Sequence, residues 1–251
     1  MIDVQRTGNP DSSLWWLHYL GGFGPLLGAF TMAALIGGTA GVSQLLERMA
    51  GYGVRKKWVL ISIRLPFLLF ILAVLLEGVL NGNWIDLRLL GHSPKLPTYG
   101  LLSILIIEIV AFGYGEETGW RGYALPRIQS KYSALVSALL LTLPWAFWHL
   151  PTFFYNENMM TMGVGGTIGW FLSLLTGSLI LTWLFNGSKG SILPVALFHG
   201  LIDVVFVSEA VAGKLDNYVG ALITFFAIAL IFSLRKQVKV TAKQLAEKFI
   251  E

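Results

Sequence analysis

Two adjacent carboxylates and an arginine, Glu116, Glu117 and Arg121, lie at the end of a strongly apolar stretch of this 251-residue chain. Charged side chains are costly inside a hydrocarbon layer, so such residues mark candidate functional sites. Glu117 and Arg121 are four residues apart, with the acid first, and therefore share a helix face. We predict that they pair, and that Glu116, which points about 100° away, is the candidate general base. A purely structural ion network of all three is the alternative.

Two histidines further along the chain are also embedded in apolar sequence. His149 follows a run of aromatic residues, and His199 is followed four residues later by Asp203. This spacing places Asp203 on the same helix face as His199, where it would orient the imidazole, carry a proton or share a metal ion with it. An isolated histidine on an apolar helix is more often packed and hydrogen-bonded than catalytic, and we interpret His18 and His92 in that way. The combination suggests a buried hydrolytic site.

Two further carboxylates, Glu77 and Glu108, fall within apolar stretches. Glu108 comes two helical turns before Glu116 and could line the same cavity, and either carboxylate could pair with Arg64. We assign no catalytic role to them.

The composition predicts an all-α, polytopic integral membrane protein. Hydrophobic residues make up 55% of the chain and charged residues 13%, whereas soluble domains carry about 25% charged residues. Cysteine is absent, which excludes disulfides, a thiol nucleophile and metal sites with cysteine ligands. The net charge of +4 requires no nucleic-acid partner. Residues 1–13 are polar and predict no cleavable signal peptide.

Apolar stretches long enough to cross a membrane predict about seven transmembrane helices, since each needs about 20 residues. Basic residues are unevenly distributed between the connections, and the positive-inside rule then places the C-terminus in the cytoplasm and the N-terminus outside. Pairs of small residues such as Gly115 with Gly119, and Gly165 with Gly169, predict close helix packing. The predicted spans are residues 14–42, 58–80, 99–125, 133–150, 165–185, 191–207 and 218–234.

Three familiar motifs of other proteases do not occur in the sequence. There is no His-Glu-x-x-His zinc motif. There is no Gly-x-Ser-Gly, as in rhomboid-like serine proteases, and no Gly-x-Gly-Asp, as in presenilin-like aspartyl proteases.

The polar motifs together resemble those of the CAAX prenyl protease and bacteriocin-processing family of intramembrane endopeptidases. This family is also called the Abi family, and its eukaryotic relatives are the type II CAAX prenyl endopeptidases. The resemblance covers roughly residues 97–207, between N-terminal membrane helices in residues 1–96 and a last helix with a basic tail in residues 208–251. It rests on three ordered motifs: Glu-Glu-x-x-x-Arg from Glu116, aromatic-x-x-x-His ending at His149, and His-x-x-x-Asp from His199.

The resemblance implies a role for each matching residue. Glu116 with His149 would activate a water, and His199 with Asp203 would stabilise the oxyanion. Glu117 and Arg121 would support the site. No metal would be needed, although zinc held by Glu116, His149 and His199 is an alternative.

This chain departs from the family pattern at two positions. The second motif commonly begins with Phe, where this chain has Trp145. The third motif often ends in Asn, where this chain has Asp203. An ionised Asp cannot donate a hydrogen bond to an oxyanion, so Asp203 would have to be protonated, orient His199 or bind a metal.

Alternative functions are a non-catalytic membrane immunity or scaffold protein of the same fold, and a transporter with carboxylate relays. The expected partners of the endopeptidase are the lipid bilayer and a peptide or protein substrate. The expected location is a prokaryotic cell membrane. Substrate identity and oligomeric state do not follow from the sequence.

Overall fold

The structure, a computed structural model, describes residues 12–211 and 214–250, with side chains for 16–156, 159–211 and 215–235. Within these residues the chain is helical and has no β-strand. Residues 1–11, on which most of the signal-peptide prediction rests, lie outside the described residues. The helices are α1 (Ser12–Gly21), α2 (Gly24–Ala50), α3 (Lys56–Asn81), α4 (101–129), α5 (Ala134–Trp148), α6 (Glu157–Met160), α7 (Val164–Gly187), α8 (Leu193–Val207) and α9 (Lys214–Ile250).

The prediction of an all-α, polytopic membrane protein is confirmed. Among the described residues, five helical segments are long and apolar enough to cross a membrane. The shorter α8 has 15 residues and is also apolar. The predicted number of seven spans stays a prediction, with α4 and α8 as the helices that would complete it. The five segments are Trp16–Ala50, Lys56–Asn81, Ala134–Phe154, Val164–Gly187 and Leu215–Arg235.

The sequence predicts one span over residues 14–42, but in the structure these residues belong to two helices, α1 and α2. The chain turns at Gly22 and Phe23 between α1 and α2. A Cβ atom at Gly22 would lie 2.6 Å from the carbonyl oxygen of Ala111, so only glycine permits this approach to α4. Pro25 lies in the first turn of α2, where its missing N–H has no helical partner to lose. The turn separates α1 from α2.

Local sequence also sets where the helices that hold the histidines begin. The Ser133 side chain accepts a hydrogen bond from the Val136 N–H and caps the start of α5. Pro194 lies in the first turn of α8, a position that suits its fixed φ angle. Helix α5 ends at Trp148 with His149 as its C-cap, and residues Leu150–Phe154 then form a 3-10 helix.

Helix α4 is widened on both sides of its acidic residues. Residues Ile109–Tyr114 and Thr118–Ala124 form π-helical turns around the short α-helical segment Gly115–Glu117. Such wide turns within α-helices occur frequently at functional sites.

Helices α4 and α8 are in contact through their backbones. A Cβ atom at Gly113 would lie 2.4 Å from the carbonyl oxygen of Ala196, and one at Gly200 would lie 2.5 Å from Cα of Ile109. Glycine on each helix therefore allows the close crossing that brings the acidic segment of α4 beside the histidine of α8.

Candidate active site

Glu117 is the centre of a buried ion network. Its Oε1 accepts a hydrogen bond from Nη1 of Arg121 at 2.8 Å and another from Nδ1 of His199 at 2.7 Å. Glu117 and Arg121 are completely buried, and His199 is 8% exposed. The predicted pairing of Glu117 with Arg121 is confirmed, and the structure adds His199 as a second partner from a different helix.

His199 lies between two carboxylates. Its Nε2 is 3.4 Å from Oδ2 of Asp203, which confirms that the two share a helix face. Both ring nitrogens face carboxylate oxygens, and an imidazole donates from both nitrogens only when it is doubly protonated. His199 is therefore suited to donate hydrogen bonds and to stabilise negative charge rather than to remove a proton.

Glu116 is held by an indole. The Nε1 of Trp145 donates a hydrogen bond to Oε2 of Glu116 at 2.7 Å, and Glu116 is only 3% exposed. The Trp145 ring also lies 4.3 Å from the Arg121 guanidinium carbon and meets the His199 ring edge-on at 5.7 Å. Trp145 thus connects the Glu116 carboxylate to the ion network around Glu117. The motif comparison did not predict this role.

The His149 ring has a defined tautomer. Its Nδ1 lies 2.7 Å from the carbonyl oxygen of Trp145. The backbone N–H of His149 bonds to the carbonyl of Ala146. The carbonyl of Trp145, at the helix end, therefore bonds to the imidazole and not to this backbone N–H. A carbonyl can only accept a hydrogen bond, so Nδ1 carries the proton. In the neutral ring Nε2 is then an acceptor, as a general base requires.

Glu116 and His149 line one pocket of about 410 Å³. Leu17, Phe147 and Trp148 also line it and are 62%, 69% and 40% exposed, so the pocket opens at the side of the bundle between α1 and α5. The carboxylate and the imidazole therefore face a common, largely apolar space. The remaining lining residues are His18, Gly21, Gly22, Phe112, Pro151, Thr152 and Tyr155.

His18 is the pocket residue whose position the sequence did not predict. Its Nδ1 lies 2.7 Å from the hydroxyl oxygen of Tyr155, so the expected hydrogen bond is confirmed. The His18 side chain also lines the same pocket as Glu116 and His149. The Tyr155 phenol is protonated at neutral pH, and burial raises its pKa further, to about 12. The same sequence signal, an isolated histidine near a predicted membrane boundary, occurs at His92. The prediction that His92 is packed is wrong, because it is exposed.

The two other buried carboxylates accept hydrogen bonds from neutral side chains. Glu108 accepts a hydrogen bond from the Tyr19 hydroxyl at 2.8 Å. Glu77 accepts from the side-chain amides of Asn81 and Asn83 at 2.7 and 3.1 Å. The alternative in which either pairs with Arg64 is therefore replaced by these hydrogen bonds.

The described side chains contain no group of three histidines or carboxylates arranged to hold a metal ion. The nitrogens of His199 face Glu117 and Asp203, whereas Glu116 and His149 face the pocket.

Comparison with known proteins confirms the resemblance inferred from the three motifs. Residues 98–205, which contain all three, match the family model described as type II CAAX prenyl endopeptidase Rce1-like. The chain is also similar to CAAX prenyl protease 2 of Methanococcus maripaludis, with 32% identity over 105 residues. The matched part covers 40% of this chain and 38% of that relative, so the chain spans well under half of the relative's length.

Proposed function

We propose that this chain is an intramembrane endopeptidase that hydrolyses a peptide bond of a membrane-associated peptide or protein. The observation that carries the proposal is the shared pocket of Glu116 and His149, beside the ion network of His199. The match of residues 98–205 to the Rce1-like family supports the same activity.

In the proposed reaction, water is activated between Glu116 and His149. One of these two groups accepts a proton as the water oxygen forms a bond to the carbonyl carbon of the substrate. The C–N bond then breaks, and the same proton passes to the leaving amine. The Trp145 hydrogen bond holds the Glu116 carboxylate in place during both steps. This chemistry requires no cofactor.

The oxyanion of the tetrahedral intermediate is stabilised by His199 and Asp203. Nδ1 of His199 is bonded to Glu117, so the oxyanion takes its hydrogen bond from Nε2–H, whose contact with Asp203 is longer at 3.4 Å. Asp203 either orients the imidazole as an acceptor or, when protonated, donates to the oxyanion itself. Glu117 and Arg121 fix the position of His199 and do not contact the substrate.

The proposed location is a prokaryotic cell membrane, with the C-terminus in the cytoplasm. Exposed basic residues lie at the start of α3 and in the connections that follow α4 and α7, which supports one positively charged end of the bundle. They include Arg55, Lys56, Lys57, Lys131 and Lys189.

The proposed substrate is a peptide or protein in or near the bilayer. The relative is named CAAX prenyl protease 2, and a prenylated CAAX protein is one substrate option for the present chain. Removal of bacteriocin leader peptides is the other option that the family resemblance implies.

A non-catalytic immunity or scaffold role is a second candidate, because the buried network around Glu117 would by itself stabilise a bundle. A comparison of wild type with Glu116→Gln in detergent separates the two. If the chain is an endopeptidase, the variant should keep its thermal unfolding temperature, because the substituted Gln side chain can still accept the hydrogen bond from Trp145. It also predicts that cleavage of a quenched fluorescent peptide library falls by about 100-fold or more.

The matched control is Glu47→Gln, an exposed glutamate on α2, which should change neither property. Each measurement is repeated with a strong chelator. Cleavage that the chelator abolishes and zinc restores would favour the metal alternative. A destabilised Glu116→Gln, in a protein that cleaves no peptide, would favour the scaffold role.

A further inference from the structure

A hydrogen-bonded pair from two distant parts of the chain lies within the apolar lining of the pocket. His18 is on α1, and Tyr155 follows the 3-10 helix after α5; Nδ1 and the hydroxyl oxygen are 2.7 Å apart. Both line the same space as Glu116 and His149. The Phe112 ring lies 5.1 Å from the His18 ring, so the pair is set among apolar groups.

A peptide that is cut inside an apolar pocket must have its backbone unfolded locally. Its N–H and C=O groups then lose their helical partners and, away from water, need new ones. The groups that perform the reaction act on the scissile peptide bond alone. The neighbouring peptide groups of the substrate need donors and acceptors elsewhere in the pocket.

The chemistry of the pair meets this need. The Tyr155 phenol is protonated and can donate to Nδ1 of His18, in which case the ring proton is at Nε2. The pair then carries an N–H donor on the imidazole and lone pairs on the phenolic oxygen. These match the C=O and N–H of one residue of an extended peptide, which point to the same side of the strand.

We propose that His18 and Tyr155 form a subsite that hydrogen-bonds the backbone of an extended peptide substrate next to the bond that Glu116 and His149 hydrolyse. The subsite rests on the proposed endopeptidase function and adds a role for α1, which lies outside the matched residues 98–205. Its residues position the substrate and take no part in moving the proton.

The test measures KM and kcat for Tyr155→Phe, which removes the hydroxyl and keeps the ring, and for His18→Leu. The probe is the quenched peptide that wild type cleaves fastest. A lost hydrogen bond that forms equally in ground and transition states raises KM by roughly three- to tenfold and leaves kcat within about twofold. The double variant should be little worse than either single variant, because each substitution breaks the same pair.

Tyr52→Phe and His92→Leu are matched controls, because both residues are exposed and neither lines the pocket. A direct readout is the Kd of the same labelled peptide for Glu116→Gln, measured with and without the additional Tyr155→Phe substitution. Adding Tyr155→Phe should raise this Kd by the same factor as it raises KM. Unchanged KM and Kd in the pocket variants would overturn the subsite. A loss of kcat with constant KM would overturn it too, as would a lowered unfolding temperature as the sole effect.

The two proposals fail in different ways. If wild type cleaves no peptide, the endopeptidase proposal fails, and the subsite fails with it. If wild type cleaves and Glu116→Gln does not, but the pocket variants match their controls, the subsite alone fails.

Discussion

The indole N–H of Trp145 donates a hydrogen bond of 2.7 Å to the carboxylate of Glu116, across 29 residues of sequence. Family members with Phe at this position of the second motif have no such donor. In this chain the aromatic residue therefore also orients the proposed general base, and its ring packs on Arg121.

Replacing Trp145 with Phe should remove this orientation while preserving an aromatic ring. A hydrogen bond to a charged group contributes about 1.5–3 kcal/mol, so we expect kcat/KM to fall roughly 10- to 100-fold. Steady-state cleavage of the quenched peptide measures this. Trp183→Phe is the control, since that ring packs against Trp58. Equal activity of the two variants would show that the indole N–H is not needed.

Replacing Glu117 with Gln should lower stability strongly. The change leaves the fully buried Arg121 guanidinium without its charged partner, and breaking a buried ion pair costs about 3–5 kcal/mol. Thermal unfolding in detergent, followed by circular dichroism, should show a large decrease in the midpoint temperature. Glu47→Gln, on an exposed glutamate, should leave the midpoint unchanged. A stable Glu117→Gln would mean that the network contributes little to folding.

Replacing Asp203 with Asn should preserve cleavage within about threefold. An amide can accept from Nε2 of His199 and can also donate to an oxyanion, so it serves either proposed role. Asp203→Leu can do neither and should reduce kcat by about 100-fold, as the loss of an oxyanion donor does elsewhere. If Asn is as inactive as Leu, the carboxylate itself is required, as a proton carrier or a metal ligand.

Replacing Gly119 with Ala should disturb the site without changing any polar group. A Cβ atom there would lie 2.5 Å from the carbonyl oxygen of Pro25, and one at Gly115 would lie 2.6 Å from that of Gly22. Overpacking of this kind costs about 1–3 kcal/mol. Unfolding temperature and cleavage should both decrease. Gly165→Ala is the control, because nothing lies within 4 Å of its Cβ position.

The glycine pairs show the limit of spacing as a guide to packing. Gly115 with Gly119 and Gly165 with Gly169 have the same four-residue spacing, yet only the first pair contacts another backbone. Spacing fixes which residues share a helix face. It does not fix whether another helix lies against that face.

The sequence by itself determined the helical membrane class and the contacts within one helix. Composition set the class, because a chain with so few charged residues has little polar surface to present to water. The Glu117–Arg121 and His199–Asp203 pairs followed from the four-residue repeat of a helix.

Only the tertiary structure decided which of these pairs meet and what else joins them. The bonds from Glu117 to His199 and from Glu116 to Trp145 connect residues 82 and 29 positions apart. They depend on how α4, α5 and α8 are rotated and how closely they cross, which the backbone contacts of Gly113 and Gly200 allow. His18 entered the pocket for the same reason: the turn at Gly22 directs α1 towards Tyr155, and no periodicity within α1 specifies that turn.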